Sequence, residues 1–194
     1  MKKYLVLLLI ANLLPITGCS TLATGSAEVT GLSLLHDRRN SETILLDERI
    51  ELSIGSKIKD QYDLYQKTHV NVTSYNGMVL LTGEALDEAL RTRVAEIART
   101  TAGVKKVHNF IDIGPHSTFS TRTNDTILSG KVKSAISEVK HIPGFDATRI
   151  KVVTEKGVVY LMGLVHPNEA NIAVEMARRE PGVRKVVTVF EILD

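Results

Sequence analysis

The side chains of this 194-residue chain with the widest chemical reach are one cysteine and six histidines. Cys19 offers a thiolate, and imidazoles can move protons or bind metals near neutral pH. Their spacing opposes both uses. His36, His69, His108, His116, His141 and His166 are scattered, and none stands two, three or four residues from another. No turn of helix or stretch of strand therefore presents a local metal pair. A lone cysteine makes neither an intramolecular disulfide nor a cysteine-based metal site. No nucleophile elbow, glycine-rich phosphate loop or HExxH helix occurs. Gly77, Gly83, Gly157 and Gly163 invite a nucleotide-loop reading, but they punctuate strand patterns, where turns and close packing account for them. His166-Pro167 reads as a helix start without an acid–base partner. The expectation is a non-enzymatic protein with no metal and no dissociable cofactor.

Charge narrows the partners. The formal net charge is +2, from 24 basic and 22 acidic residues. The surplus is Lys2 and Lys3, which leaves 22 of each sign from residue 19 onward. A nucleic-acid binder needs clustered excess positive charge, so none is expected here.

Lys2 and Lys3 precede an apolar run from Tyr4 to Leu14, then Pro15-Ile16-Thr17-Gly18-Cys19. A basic start before a short apolar core is a secretion signal, too short to span a bilayer. Ile16-Thr17-Gly18-Cys19 resembles a bacterial lipobox. That resemblance implies cleavage before Cys19, a diacylglycerol on its sulfur and a further acyl chain on its new amino group. Several chains anchor stably where one holds marginally, since each buried methylene contributes about 0.8 kcal/mol. Ser20 stands where an aspartate would signal inner-membrane retention. By resemblance to Gram-negative lipoproteins, this implies sorting to the periplasmic face of the outer membrane. Residues 20–42, rich in Ser, Thr, Gly and Ala, read as a tether. Within it, His36-Asp37-Arg38-Arg39-Asn40 reads as a solvated charged patch.

The elements beyond the tether are written twice. Tyr75-Asn76-Gly77-Met78-Val79-Leu80-Leu81-Thr82-Gly83 returns about eighty residues later as Glu155-Lys156-Gly157-Val158-Val159-Tyr160-Leu161-Met162-Gly163. In the first copy a helix is expected from about Leu45, with Asp47 and Glu48 at its positive end and Leu46, Ile50, Ile54 and Ile58 on one face. Gly55 weakens it by about 1 kcal/mol relative to alanine. Val70 and Val72 alternate with Asn71 and Thr73 in a strand. Asn76-Gly77 is a hairpin turn requiring positive φ twice, and Met78–Thr82 returns as an apolar central strand. A second helix is expected over about Asp87–Thr101, with Gly103 as its left-handed terminator, and a third strand follows around Val107–Ile111.

Residues 114–123 read as a linker. In the second copy Asn124-Asp125-Thr126 supply candidate caps, and Leu128, Val132, Ile136 and Val139 repeat the four-residue spacing. Strands turn at Lys156-Gly157, Pro167 opens a helix, Pro181-Gly182 end it, and the last strand runs over about Val186–Leu193. Glu96/Glu175, Arg99/Arg178, Gly103/Gly182 and Val107/Val186 match at an offset of 79. The expected fold class is α+β: two tandem αββαβ units, each a three-stranded mixed sheet with two helices on one face. Gly77, Gly83, Gly103, Gly157, Gly163 and Gly182 are its expected structural glycines.

Paired strands around glycines, then a helix ending in Gly-Val before basic residues and a strand, resemble BON domains. Two of them behind a lipobox resemble the dual BON-domain outer-membrane lipoproteins of Gram-negative bacteria. The closest stretches are His69–Tyr75, Asn124-Asp125-Thr126 and Tyr160–Val165. The resemblance implies residues 1–18 as signal, 19–44 as acylated tether, 45–113 as the first BON domain, 114–123 as linker and 124–194 as the second.

Where the copies differ, specific function is expected. Aligning Asp47 with Asp125 places Arg49 on Ile127 and Ser53 on Lys131. The second copy's first helix thus carries an apolar residue off its core stripe, with Lys131, Lys133 and Lys140 beyond it and Arg122 before. An apolar tip ringed by cations suits an anionic bilayer. The resemblance implies that this helix binds anionic phospholipid such as phosphatidylglycerol, through Asn124, Asp125, Ile127, Leu128, Lys131 and Lys133. It also implies a role in envelope integrity and division-site remodelling. The family often has an aromatic near the start of this helix; here Ile127 takes that place. The rival expectations are that Ile127 packs on the first copy or the linker, and that the chain is a chaperone-like adaptor for outer-membrane assembly machinery, working through strand edges or Asp37-Arg38-Arg39.

Overall fold

The computed structural model describes residues 37–139 and 142–194. The expected signal, the acylated Cys19, the tether as far as residue 36 and Lys140 lie outside the described residues. The first unit comprises α1 (Ser41–Lys59), α2 (Tyr62–Lys67), β1 (Thr68–Tyr75), β2 (Met78–Ala85), α3 (Glu88–Arg99) and β3 (Lys106–Ile113). The second comprises α4 (Phe119–Ser137), a 3-10 turn (Ala147–Arg149), β4 (Ile150–Glu155), β5 (Val158–Val165), α5 (Pro167–Arg179) and β6 (Lys185–Ile192). In each sheet the central strand, β2 or β5, is antiparallel to the strand before it and parallel to the strand after the helix. The α+β class with two three-stranded mixed sheets is the one the repeat predicts.

Both hairpins turn on two residues in the left-handed region. φ is 53° and 76° at Asn76 and Gly77, and 48° and 73° at Lys156 and Gly157. A two-residue turn of this hand matches the twist of the flanking strands. Each turn is held from below by one buried carboxylate of the preceding long helix. Asp47 on α1 accepts from Asn76 N at 2.7 Å and Gly77 N at 2.8 Å. Asp125 on α4 accepts from Lys156 N at 2.7 Å and Gly157 N at 2.8 Å. These two aspartates are therefore turn clamps, and not the helix-start charge expected of Asp47 or the cap expected of Asp125. The helices begin six residues earlier, at Ser41 and Phe119, where Asn40 and Thr118 cap them by accepting from the Thr43 and Thr121 amides. Residues 41–44 thus leave the tether, and residues 119–123 leave the linker.

Two further expectations are corrected. α3 stops at Arg99 with Thr100 as its cap, so Gly103 lies beyond the terminating position. Its φ of 88° and missing Cβ instead make room for the Leu46 and Ile50 side chains of α1. α2 is an unpredicted helix: six residues are too few to show a period, and only Leu64 is buried.

The central strands are apolar throughout because both faces are covered. Val79 and Leu81 face helices α1 and α3 in one core, and Val159, Leu161 and Val165 face α4 and α5 in another. The alternate residues Leu80, Tyr160 and Met162 join Tyr75 and Val189 in a third core, where the two sheets meet. Phe110 and Tyr160 pack there as a tilted pair with ring centroids 5.1 Å apart. The layers thus run helices, sheet, sheet, helices.

Polar contacts fasten this seam. Lys156 Nζ lies 2.8 Å from Glu84 Oε1, a fully buried carboxylate, and Asn76 donates to Glu191 at 2.7 Å. The patch expected to be solvated is a clasp between the domains. Arg38 forms two hydrogen bonds to Glu169 at the start of α5, at 2.6 and 3.0 Å, and donates to the Leu164 carbonyl at 2.8 Å. Its neighbour Arg39 turns to the first domain, bonding Asp47 at 2.9 Å with its guanidinium 3.7 Å from the Tyr75 ring centre. Planar guanidinium groups suit such bidentate and stacked sites, which is why the patch does not remain in water.

Glu155 also sits in the seam, 5% exposed, accepting from Asn71 Nδ2 at 2.9 Å. Burial pushes its pKa up to about 7, although the Asn71 hydrogen bond works the other way. Between the ordinary carboxylate range and about pH 7, the folded chain keeps a proton that the unfolded chain has released. Stability therefore falls as pH rises through that window, by on the order of 3 kcal/mol. Glu155→Gln is expected to remove this loss. In urea unfolding the variant should exceed the parent at pH 8 and match it near pH 4.

Candidate functional site

α4 carries three basic residues, Arg122, Lys131 and Lys133, and one acid, the buried Asp125. α1, its counterpart, carries four acids and three bases. At about 100° per residue, Leu128, Val132 and Ile136 form the core stripe of α4. Phe119, Thr123, Ile127, Gly130 and Ser134 point away from it.

Ile127 stands at the surface of α4. It is 53% exposed, and Phe119 is 80% exposed. Arg122 and Lys133 flank this outward face on one side and Lys131 on the other, all exposed. Of the residues expected to meet lipid, Asn124, Ile127, Lys131 and Lys133 are accessible. Asp125 and Leu128 are buried, and their side chains serve the turn and the core. Phe119 is the residue that sequence reasoning passed over, because it was assigned to the linker. The available signal was Thr118, a capping type three residues before Thr121, which moves the helix start upstream and places an aromatic in its first turn.

Beside this face α4 borders a groove of about 860 Å³. Its other walls are the segment 112–118 from the end of β3 onward, the Lys156-Gly157 turn, and the loop Pro181–Arg184 before β6. The turn clamp keeps these walls in register: Arg184 N donates to Gly157 O at 2.8 Å, and Arg184 Nη1 to Lys156 O at 3.2 Å. Among the described residues no group of three or more His, Cys, Asp or Glu could hold a metal. No described helix is long and apolar enough to cross a membrane.

The family model described as BON domain matches residues 46–115 and 124–194. Over 192 residues the chain is 31% identical to the outer membrane lipoprotein DolP of Haemophilus influenzae, covering 99% of this chain and 97% of that protein. It is 33% identical over 157 residues to the 21 kDa hemolysin of Actinobacillus pleuropneumoniae, covering 79% and 78%. Among solved structures it is similar to the C-terminal domain of CdsD, the structural protein of the type III secretion system of Chlamydia trachomatis. There the TM-score is 0.26 and the identity 12%, over 80% of this chain and 100% of that one.

Proposed function

The chain belongs to the dual BON-domain outer-membrane lipoproteins, and from that premise we propose that α4 is its contact with anionic phospholipid. The family points to a non-enzymatic role at the outer membrane. The observation that carries the lipid reading is the outward face of α4: two large apolar side chains, Phe119 and Ile127, left in water between Arg122, Lys131 and Lys133. A protein surface tolerates single exposed apolar residues, but an apolar pair ringed by cations suits an anionic interface. Each cation near such a surface contributes about 1 kcal/mol, so three give roughly a hundredfold in affinity. Burying Phe119 and Ile127 adds to this through apolar area.

The contact acts together with acyl chains on Cys19. Arg38 is held near the end of β5, and the α4 tip lies by the turn that begins β5. Eight strand residues separate these points by roughly 25 Å. The chain from Cys19 to Asp37 can reach at most about 60 Å, enough to let both points meet one membrane. The anchor then raises the effective concentration of a weak helix–lipid contact. A part in envelope integrity and enrichment at division sites belong to the same proposal.

Ile127→Glu tests it in the chain from residue 19 carrying Cys19→Ser, which removes the acyl anchor alone. Binding to phosphatidylglycerol vesicles is expected to fall at least tenfold with the melting temperature unchanged. Undiminished binding would remove α4 from the membrane contact. The adaptor reading has one observation of its own: Leu45, Leu52 and Tyr62 are also exposed, on α1 and α2. Its other suggested surface, Asp37-Arg38-Arg39, is occupied by the clasp.

A further inference from the structure

We propose that the seam between the two sheets is a proton-operated latch: it stays closed while the Glu155 carboxyl carries its proton and opens when that group ionises. The latch is independent of the lipid reading of α4.

The seam is separable from the folds it joins. Each sheet has a core of its own against its own helices, with Ile50, Ile54, Val79 and Leu81 in the first domain and Val132, Ile136, Val159 and Leu161 in the second. The third core, where the sheets meet, holds Tyr75, Leu80, Tyr160, Met162 and Val189. Beyond it the seam face of the first sheet turns polar. Thr82 and Glu84 continue the side of β2 that carries Leu80, with Asn71 and His69 opposite them on β1. Thr82 Oγ1 and His108 Nε2 are buried without a hydrogen-bond partner among the described residues, a cost that opening to water relieves. Relative motion at such an interface is the ordinary behaviour of two-domain chains.

Glu155 stands in this polar part. Its hydrogen bond from Asn71 of β1 crosses the seam and brings no charge. Two other buried carboxylates act on it, Glu84 from β2 and Asp125 from α4. Lys156, its neighbour in the chain, opposes them, but that ammonium lies 2.8 Å from Glu84 and 3.8 Å from Asp112 of β3. His69 is 3.6 Å from Glu84 and beside His116. Burial, then Arg122 of α4, hold His69 below the usual imidazole range, and burial does the same for His108. Their charging therefore belongs to the acid side. Tyr160, on the neighbouring strand, is pushed up to about 12 by burial and stays neutral. Glu155, pushed up to about 7, is the buried acid whose charge changes near neutrality.

Ionised, it sets a third carboxylate beside Glu84 and Asp125 away from water. Opening hydrates it and parts it from Glu84. A carboxyl with a raised closed-state pKa favours closure fully below the ordinary carboxylate range, and that advantage is lost as pH rises through about 7. Between pH 6 and pH 8.5 the closing equilibrium should fall about tenfold. Once the seam is open, the domains are joined by the segment 114–118 and the Arg38 clasp alone, and α4 can turn relative to the first domain.

The test uses the chain from residue 19 carrying Cys19→Ser, with spin labels on Arg49→Cys of α1 and Asn171→Cys of α5, both exposed and on opposite outer layers. Pulsed electron-resonance distances should form one narrow distribution at pH 6, joined at pH 8.5 by a longer, broader one, with far-UV circular dichroism the same at both. In Glu155→Gln the short distribution should persist at both pH values. Arg38→Ala, which releases the clasp from Glu169, should enlarge the longer population at pH 8.5 and keep its pH dependence. Distances that do not change with pH in either the parent or Arg38→Ala overturn the latch. So does a longer population that Glu155→Gln leaves in place, or a loss of helical signal at pH 8.5, which is unfolding and not opening.

Discussion

Gly83→Val is expected to abolish folding of the first domain. Gly83 lies in the middle of β2 with φ of 111°, opposite Val70 on β1. A Cβ built there collides with the His69 carbonyl oxygen and stands 3.2 Å from the Val70 Cα. Those are backbone atoms of the paired strand, so no rotamer change relieves the contact. A β-branched residue at positive φ adds about 1–3 kcal/mol of strain, and separating β1 from β2 forfeits ladder hydrogen bonds besides. The sum exceeds about 4 kcal/mol, a large share of the roughly 5–15 kcal/mol that holds a typical domain. The lost surface includes Tyr75 and Leu80, so the seam with the second sheet fails too. Circular dichroism and urea unfolding should show a chain without the parent's cooperative transition. A folded Gly83→Val protein would refute the packing reading. Gly55→Ala supplies the control: its Cβ meets nothing within 4 Å on α1, and the change should stabilise by about 0.5–1 kcal/mol.

Asp47→Ala should cost about 3–5 kcal/mol, the most severe effect expected of any substitution to alanine at a polar residue here. The carboxylate is 3% exposed and has four partners: the Asn76 and Gly77 amides, the Ser74 hydroxyl at 2.6 Å, and the Arg39 guanidinium at 2.9 Å. Its removal leaves two buried amides unsatisfied and an arginine deprived of one counter-charge, and such losses carry the full desolvation penalty. Asp125→Ala tests the interpretation from inside the molecule. Asp125 clamps the second turn through the same two amides but is not bonded to an arginine. Its loss should cost about 2–3 kcal/mol. Urea midpoints for the two variants, with Asp47→Asn between parent and alanine, check this order. Equal costs would show that Arg39 adds nothing to the first clamp.

The two aspartates also show where local reading stops. The repeat, the hairpin turns, the helix stripes and the mixed three-stranded sheets were all visible in the chain. Each depends on periodicity or turn chemistry over a few residues, and glycine after Asn76 or Lys156 announces positive φ without outside help. Asp47 reads locally as a helix-start charge and Asp125 as a candidate cap, because acids gather at helix starts. Their real partners lie about thirty residues onward, across a pairing that no local pattern encodes. Phe119 was missed for a similar reason: a Ser- and Thr-rich stretch reads as loop until a cap is seen to start a helix.

What the amino-acid sequence determined by itself is the duplicated α+β framework and the charge of α4. Composition and period suffice for those, because a helix's cations stay its own in any arrangement. Tertiary structure alone decided that the two sheets stack and that Arg38 and Arg39 reach into different domains. It also decided that Ile127 remains in water and that a groove opens beside it. Each of those depends on which faces meet. The apolar residues of β2 and β5 promise burial on both sides, and only the folded chain shows that the second side is the other sheet.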